Sequence, residues 1–436
     1  MILPIIFCCI TCIVMILSIL FFPKIKLGKI RIDTYWVVTI VGAIVIFLCA
    51  DTDFATVGNA LIADTAINPL KILVLFLSMT VLSIFLDELG FFSYLASVTL
   101  KKAKTGQIRL FLYLYLIVSV LTVFTSNDII ILSFTPFICY FAKNAKINPM
   151  PYLAAEFVAA NTWSMALIIG NPTNIYLATA CGLGFAEYLK YSFIPTIFAG
   201  LVALGALLLV YGRKLKTPIE GESEQVVIKD KLLLWVGIAH LGVCTVLLAV
   251  GSYINLEMWL IAVCAVGSLF IFTGIISIVR RRKPEALIGC LKRAPYQLVP
   301  FVLSMFVMIV VLGDVGVTAR IGEFLGSDLS ILKYGTTSFI AANVINNIPM
   351  SVLFSSIISG SNGMAGLPAV FATVIGSNIG AFMTPIGALA GIMFSSIIGK
   401  HDLKFGYLDF LKIGVTVAIP TLFAALGGLW LAVTVF

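Results

Sequence analysis

Apolar residues run in blocks of about twenty along most of the chain, the length that carries a helix across a bilayer. Such blocks predict membrane crossings near 2–22, 34–50, 69–86, 190–212, 231–250, 255–277, 297–312 and 408–434. Two longer blocks, 150–182 and 366–399, are interrupted by a polar or proline-bearing step and predict broken helices that still cross. Two more, 109–142 and 330–359, carry a polar break in their middle, at Ser126-Asn127-Asp128 and at Asn346-Asn347. Each is long enough for two half-depth helices, the pattern of a re-entrant hairpin that turns at a polar tip and leaves by the face it entered. Irregular backbone at that depth is tolerated only inside protein or beside a watery cavity.

The basic residues orient these segments. If neither hairpin crosses, loops 24–31, 87–109, 143–149, 213–231, 280–293 and 400–412 share one side and hold 24 of the 28 Lys and Arg. Lys71, Lys190, Arg320 and Lys333 are left for the other side. That bias assigns the rich side to the cytoplasm, and predicts a multi-pass protein of the plasma membrane with both termini extracytoplasmic. About ten crossings result, and the odd number in each half inverts the second half relative to the first.

The predicted architecture is an all-α polytopic membrane protein built as an inverted-topology repeat. Its first repeat is 1–212, with hairpin 109–142 and broken helix 150–182; a cytoplasmic linker, 213–230, follows. The second repeat is 231–436, with hairpin 330–359 and broken helix 366–399. Interrupted segments at matching places in two halves point to the central binding site of a transporter. Hairpins from opposite faces suit alternating closure better than the continuous wetted path of a channel.

Composition agrees with a membrane solvent: 61% of residues are hydrophobic, 11% are charged, and the mean hydropathy is +1.12. Soluble domains are about 25% charged. The net charge of +8 follows the loops and gives no surface for nucleic acid. The apolar first 22 residues lack a basic leader and a small-residue cleavage site, so they read as a crossing rather than a removable signal. Nine cysteines are scattered with no CxxC pair in a polar loop, and Cys8, Cys9 and Cys12 read as small apolar residues of a span. With only His240 and His401 beside them, no metal site and no enzyme constellation emerges. No phosphate-binding glycine loop is present either. The expected energy source is an ion gradient, H+ or Na+, with no cofactor.

Candidate chemistry lies at the breaks. In Gly170-Asn171-Pro172-Thr173-Asn174 and Thr384-Pro385-Ile386-Gly387, Asn171 or Thr384 is expected to cap a new half-helix, with Pro172 or Pro385 in its first turn. Pro349 plays a similar part after Asn347. Helix N-termini there favour an anion or an oxygen-rich polar solute. Carbonyls of the preceding half-helices, with Ser126, Asn127, Asn346 and Thr384, suit a cation. Asn161 and Asn378 precede the two breaks, at unequal distances from Pro172 and Pro385.

Asp128 is the sharpest residue, because a carboxylate at a hairpin tip is costly unless paired, hydrated or protonated. It is the first proton-coupling candidate, and its expected counterpart in the second repeat is Asn347. Glu156, about two turns into its crossing, is the second candidate; it lines a cytoplasmic water path or snorkels to the interface.

At these residues the chain resembles the ion transporter superfamily, and most of all its arsenite efflux permeases, the arsenical pump membrane proteins. The marks are Leu86-Asp87-Glu88-Leu89-Gly90-Phe91-Phe92, Ser126-Asn127-Asp128 leading to Leu132-Ser133-Phe134-Thr135-Pro136, and Gly182-Leu183-Gly184-Phe185-Ala186-Glu187-Tyr188. In the second half they are Arg293-Ala294-Pro295-Tyr296-Gln297, Asn346-Asn347-Ile348-Pro349 and Thr384-Pro385-Ile386-Gly387-Ala388-Leu389-Ala390. The resemblance implies export of trivalent arsenic and antimony hydroxides, driven by proton entry or by an arsenite-stimulated ATPase subunit. It also implies paired hairpins in a transport domain that moves against a scaffold, often in a homodimer.

Two departures stand out. Arsenite permeases carry Asp where this chain has Asn161 and Asn378, and the Gly170–Asn174 motif is closer to anion permeases and Na+/H+ antiporters of the same superfamily. The citrate and dicarboxylate branch is the alternative; it usually shows Ser-Asn-Thr at both tips, against Ser-Asn-Asp and Asn-Asn-Ile here.

Overall fold

The computed structural model describes residues 2–436 apart from 23, 28–29, 51, 64–67, 104–105, 217–226, 252, 255, 361–365, 402 and 404. Most of the predicted linker 213–230 lies outside the described residues.

The apolar blocks form helices. In the first half these are Ile2–Phe21, Thr34–Cys49, Pro69–Glu88 and Phe185–Tyr211. In the second they are Lys231–Gly251, Met258–Val279, Leu298–Asp314 and Tyr407–Ile413, the last continuing through a π turn into Ile419–Val435. Eight described helices, with Gln107–Phe124 among them and Thr34–Cys49 too short to count, are long and apolar enough to cross a bilayer, consistent with a multi-pass membrane protein.

Short helices flank the third long helix of each half: Phe54–Ile62 and Phe91–Ala103, then Glu285–Arg293 and Val317–Leu325. They are too short to register against a twenty-residue period, but they make the second half repeat the first element by element. Among the described residues the departure from helix is one antiparallel ladder, Lys24–Leu27 with Ile30–Asp33, in which Lys24 faces Asp33.

At both predicted polar tips the chain breaks between two helices. The first pair is Gln107–Phe124 with Asn127–Asn144, the second Ser330–Ile345 with Asn347–Gly360. Arms of 18 residues in the first hairpin rise about 27 Å, well beyond the half-depth expected. Gln107–Phe124 is by itself long and apolar enough to cross a bilayer.

The broken helices are Met150–Trp163 with Pro172–Ala180, and Gly366–Gly380 with Leu389–Lys400. The first arm of each hairpin packs on the first piece of its own broken helix. The second arms cross over: Asn127–Asn144 lies on Leu389–Lys400, and Asn347–Gly360 lies on Pro172–Ala180. The two halves therefore interlock through their hairpins.

Burial separates centre from rim. Nearly every residue from Pro151 to Ala178 is buried, as is the stretch from Ala369 to Phe382. Phe157 stacks on Phe394 with ring centroids 4.5 Å apart, tying one broken helix to the other. Met258–Val279 instead turns Ile271 and Ile278 outward, 64% and 78% exposed, an apolar face that suits a membrane or a partner rather than water.

Candidate functional site

Proline sets both breaks, in different ways. Pro172 has no N–H to give and its ring excludes helical continuation, so the chain after Trp163 passes through two 3-10 turns and restarts at Pro172. Asn171 is extended, as a residue before proline prefers, and its Oδ1 accepts from the Thr173 N–H at 3.2 Å. That cap is as expected from the sequence.

The second break corrects the expectation. Pro385 lies inside the interruption, and the new half-helix starts only at Leu389 with the extended Ala388 before it. Thr384 caps nothing; its hydroxyl donates to Asn343 Oδ1 at 2.6 Å. Pro385 thus helps to end a helix rather than begin one.

Aligned on helix ends, the repeats match closely. The interruptions span 164–171 and 381–388, eight residues each. Asn161 and Asn378 each stand two residues before the end of the first piece, so the unequal distances to proline carry no structural meaning. Gly170 and Gly387 each stand two residues before the second piece.

Both glycines are demanded by space. A Cβ at Gly170 would overlap the Ser164 carbonyl oxygen, and one at Gly387 would come within 2.7 Å of the Gly380 carbonyl and 2.9 Å of Asn343 Oδ1.

The tips align similarly. Asn127 and Asn347 both open second arms, so the counterpart of Asp128 is Ile348 and not Asn347. Asn346 precedes its arm with φ of +73°, a left-handed value that is strained for a residue with a Cβ, and its Oδ1 accepts from the Ile348 N–H at 3.3 Å. Pro349 falls in the first turn that follows.

Amide side chains join these pieces. Asn127 Nδ2 donates to Asn161 Oδ1 at 3.0 Å, fixing the first tip to the first broken helix. Asn346 Nδ2 donates to the Ile386 carbonyl at 2.9 Å and the Asn347 N–H to the Gly387 carbonyl at 3.0 Å, fixing the second tip to the second break. Asn378 Oδ1 accepts from Asn171 Nδ2 at 3.0 Å and lies 2.9 Å from Ser164 Oγ. Asn378 Nδ2 donates to Asn174 Oδ1 at 2.7 Å. Asn174 in turn donates to the Ser164 and Leu167 carbonyls at 2.8 and 3.1 Å.

The two broken helices therefore meet through Asn171, Asn174 and Asn378, all at most 1% exposed. Four oxygens in the flanking segments, Thr162 Oγ1, Thr173 Oγ1, Asn347 Oδ1 and Ser377 Oγ, are buried with no partner among the described residues. Buried polar atoms are rarely left unsatisfied without a ligand, ion or water to explain them.

The two acids sit differently. Asp128 is half-buried in the first turn of its arm, and among the described residues its carboxylate has no hydrogen-bond or ion-pair partner. Ser126, just before it, is buried and lies 3.5 Å from Asn127 Oδ1. Glu156 is fully buried, with Thr135 Oγ1 at 2.9 and 3.0 Å from its two oxygens. It does not snorkel: the neighbouring hairpin arm covers it.

Ser164, Asn343 and Thr135 were not singled out from the sequence. Asn343 carried one signal, standing three residues before Asn346 and so on the tip's own helix face. Ser164 acts through a contact with a distant segment and carried none, while Thr135 stood only within the Leu132–Pro136 mark of the resemblance.

Comparison with known proteins places this arrangement. The family model described as citrate transporter (CitMHS) matches residues 13–376. The arsenical pump membrane protein of Escherichia coli strain K12 is 29% identical over 384 residues, covering 81% of this chain and 84% of that protein. The arsenical pump membrane protein of Yersinia enterocolitica is 27% identical over 378 residues, covering 83% of this chain and 86% of its own length. The crystal structure of the Alcanivorax borkumensis YdaH transporter superposes with a TM-score of 0.57 at 13% identity, over 99% of this chain and 98% of that one. That last likeness concerns the fold alone. With the family model matched across most of its length, the chain belongs to the citrate transporter family of membrane transport proteins.

Proposed function

We propose that the chain is an ion-coupled secondary active transporter that exports an arsenite- or antimonite-type hydroxide by elevator-like alternating access, driven by a proton gradient. One observation carries this reading. The junction of the broken helices is built from neutral amides and hydroxyls with unpartnered oxygens, and none of its described residues is Lys or Arg. Such a site matches a small neutral polyhydroxide, whereas a polyanion needs compensating positive charge.

In this reading the solute site comprises Asn161, Asn171, Thr173, Asn174, Asn378 and the tips at Asn127 and Asn346-Asn347. Gly170, Pro172, Thr384, Pro385 and Gly387 shape it. Asp128, free of protein partners, takes the coupling proton, and Glu156 is the second acid on the path. The halves are inverted repeats about this centre, the termini are extracytoplasmic and the membrane is the plasma membrane. A homodimer and an arsenite-stimulated ATPase subunit are the proposed partners, as the resemblance to arsenite permeases implies.

A second reading, transport of an organic anion such as citrate with Na+ or H+, is favoured by the half-helix N-termini at Pro172 and Leu389 and by the family's description. Arsenite accumulation in everted vesicles under an imposed proton or sodium gradient separates the two. Gradient-dependent accumulation supports metalloid export and identifies the coupling ion. Citrate uptake with no arsenite accumulation replaces the first reading with the second.

A further inference from the structure

Away from the centre, a crevice of about 450 Å³ opens where the apolar run of Met258–Val279 ends. Its walls come from the end of Pro69–Glu88, the start of Lys231–Gly251 and the start of Glu285–Arg293. On its Met258–Val279 side are Thr273 and Ser277, one helical turn apart, 0% and 6% exposed. On its rim are Lys229, Arg280, Arg282 and Lys283.

We infer that this crevice binds the phosphate headgroup of an anionic phospholipid, with the acyl chains lying along the adjoining outward face of Met258–Val279.

The carboxylates nearby neutralise the rim only at Arg280. Asp230 already accepts from Arg280 at 2.6 Å, and Glu88 from Arg293 at 2.8 Å. Glu285 is the remaining lining acid, against Lys229, Arg282 and Lys283, for which no carboxylate partner occurs among the described residues.

The backbone aims these cations. Arg280 closes the helix, and Arg281 takes a left-handed φ of +51°. The Arg281 N–H donates to the Ile278 carbonyl, and the Arg282 N–H to the Ser277 carbonyl at 2.9 Å. That is the reversal that usually employs glycine. It brings Arg282 and Lys283 back to the crevice that Arg280 lines.

Basic residues at a helix C-terminus have an ordinary explanation in the helix dipole and in the preference for the cytoplasmic side. Neither accounts for Thr273. Threonine in an apolar helix normally returns its hydroxyl to the carbonyl four residues earlier, as Thr245 does to Leu241 at 2.8 Å on the neighbouring helix. Thr273 Oγ1 is buried, has no partner among the described residues and lines the crevice.

Beside this polar pocket, Ile271, Ile275 and Ile278 are 64%, 55% and 78% exposed. A basic pocket bordered by an exposed apolar face fits a phospholipid better than a free anion.

The test is titration of the full-length purified protein with dioleoyl-phosphatidylglycerol or dioleoyl-phosphatidylcholine, read by native mass spectrometry. Phosphatidylglycerol should bind more tightly. A triple Lys229→Gln, Arg282→Gln, Lys283→Gln variant should lose about fivefold per cation, on the order of a hundredfold in all. Thr273→Val, close in shape, should lose selectivity for the anionic lipid while keeping the wild-type melting temperature.

The inference is overturned if both lipids bind equally. It also falls if a Lys101→Gln, Lys143→Gln, Lys146→Gln control loses as much as the triple variant. Displacement of phosphatidylglycerol by inorganic phosphate at equal concentration would show an anion site without lipid recognition and would overturn it too.

Discussion

Asn378 holds Asn174 across the boundary between the two halves, its Nδ2 donating to the Asn174 Oδ1 at 2.7 Å. An ionised carboxylate at 378 has no proton to offer there, and would set oxygen against oxygen at a fully buried position. Asn378→Asp should therefore destabilise the protein by about 1–3 kcal/mol when ionised. It should regain stability when protonated, because the acid O–H then replaces the amide donor. Melting temperatures of variant and parent should converge as pH falls and separate as it rises. Parallel curves would show that the contact does not depend on the donor.

Gly170→Ala and Gly387→Ala should each cost more than the roughly 1–3 kcal/mol typical of overpacking, since the obstacle at both is a backbone carbonyl. Gly205→Ala is the control, with nothing within 4 Å of the added methyl. Thermal stability of the three purified variants decides the matter; equal melting would mean that the breaks relax freely.

Thr135 is the recorded donor to Glu156. Thr135→Val should cost about 1.5–3 kcal/mol if the carboxylate is charged. Glu156→Gln should fold with smaller loss, because a neutral amide is cheaper to bury. In a double-mutant cycle the two changes should be non-additive, the pair resembling Glu156→Gln alone. Simple additivity would show that the hydroxyl does not serve the acid.

Asp128→Asn should leave folding intact, as the carboxylate has no partner to lose among the described residues. Transport in everted vesicles should become independent of the imposed proton gradient. Wild-type coupling across the pH range in this variant would remove Asp128 from the mechanism.

Much of the fold was legible because lipid imposes a length on every crossing, and the two hairpin tips announced themselves as amides in apolar surroundings. The placement of Asn171 and Pro172 followed from capping chemistry alone. Pro385 misled because proline marks helix starts and stops alike, and only the position of Leu389 distinguishes them. Pairing Asp128 with Asn347 failed because the two tips differ by a residue in length, 125–126 against 346 alone. The bond between Ser164 and Asn378 joins positions 214 residues apart, beyond any local pattern.

The equal length of the two interruptions has a consequence for how such a chain can change over time. One residue more or fewer in either would rotate the following half-helix by about 100° about its axis. Pro172–Ala180 would then turn Thr173 and Asn174 away from Asn378, and Leu389–Lys400 would turn a different face to the first hairpin. Substitution is gentler at most of these positions, for the two interruptions share only Ile169 with Ile386 and Gly170 with Gly387 at matching offsets. Insertions and deletions should thus be excluded from these stretches while point changes accumulate, so that drift here is free in spelling and fixed in count.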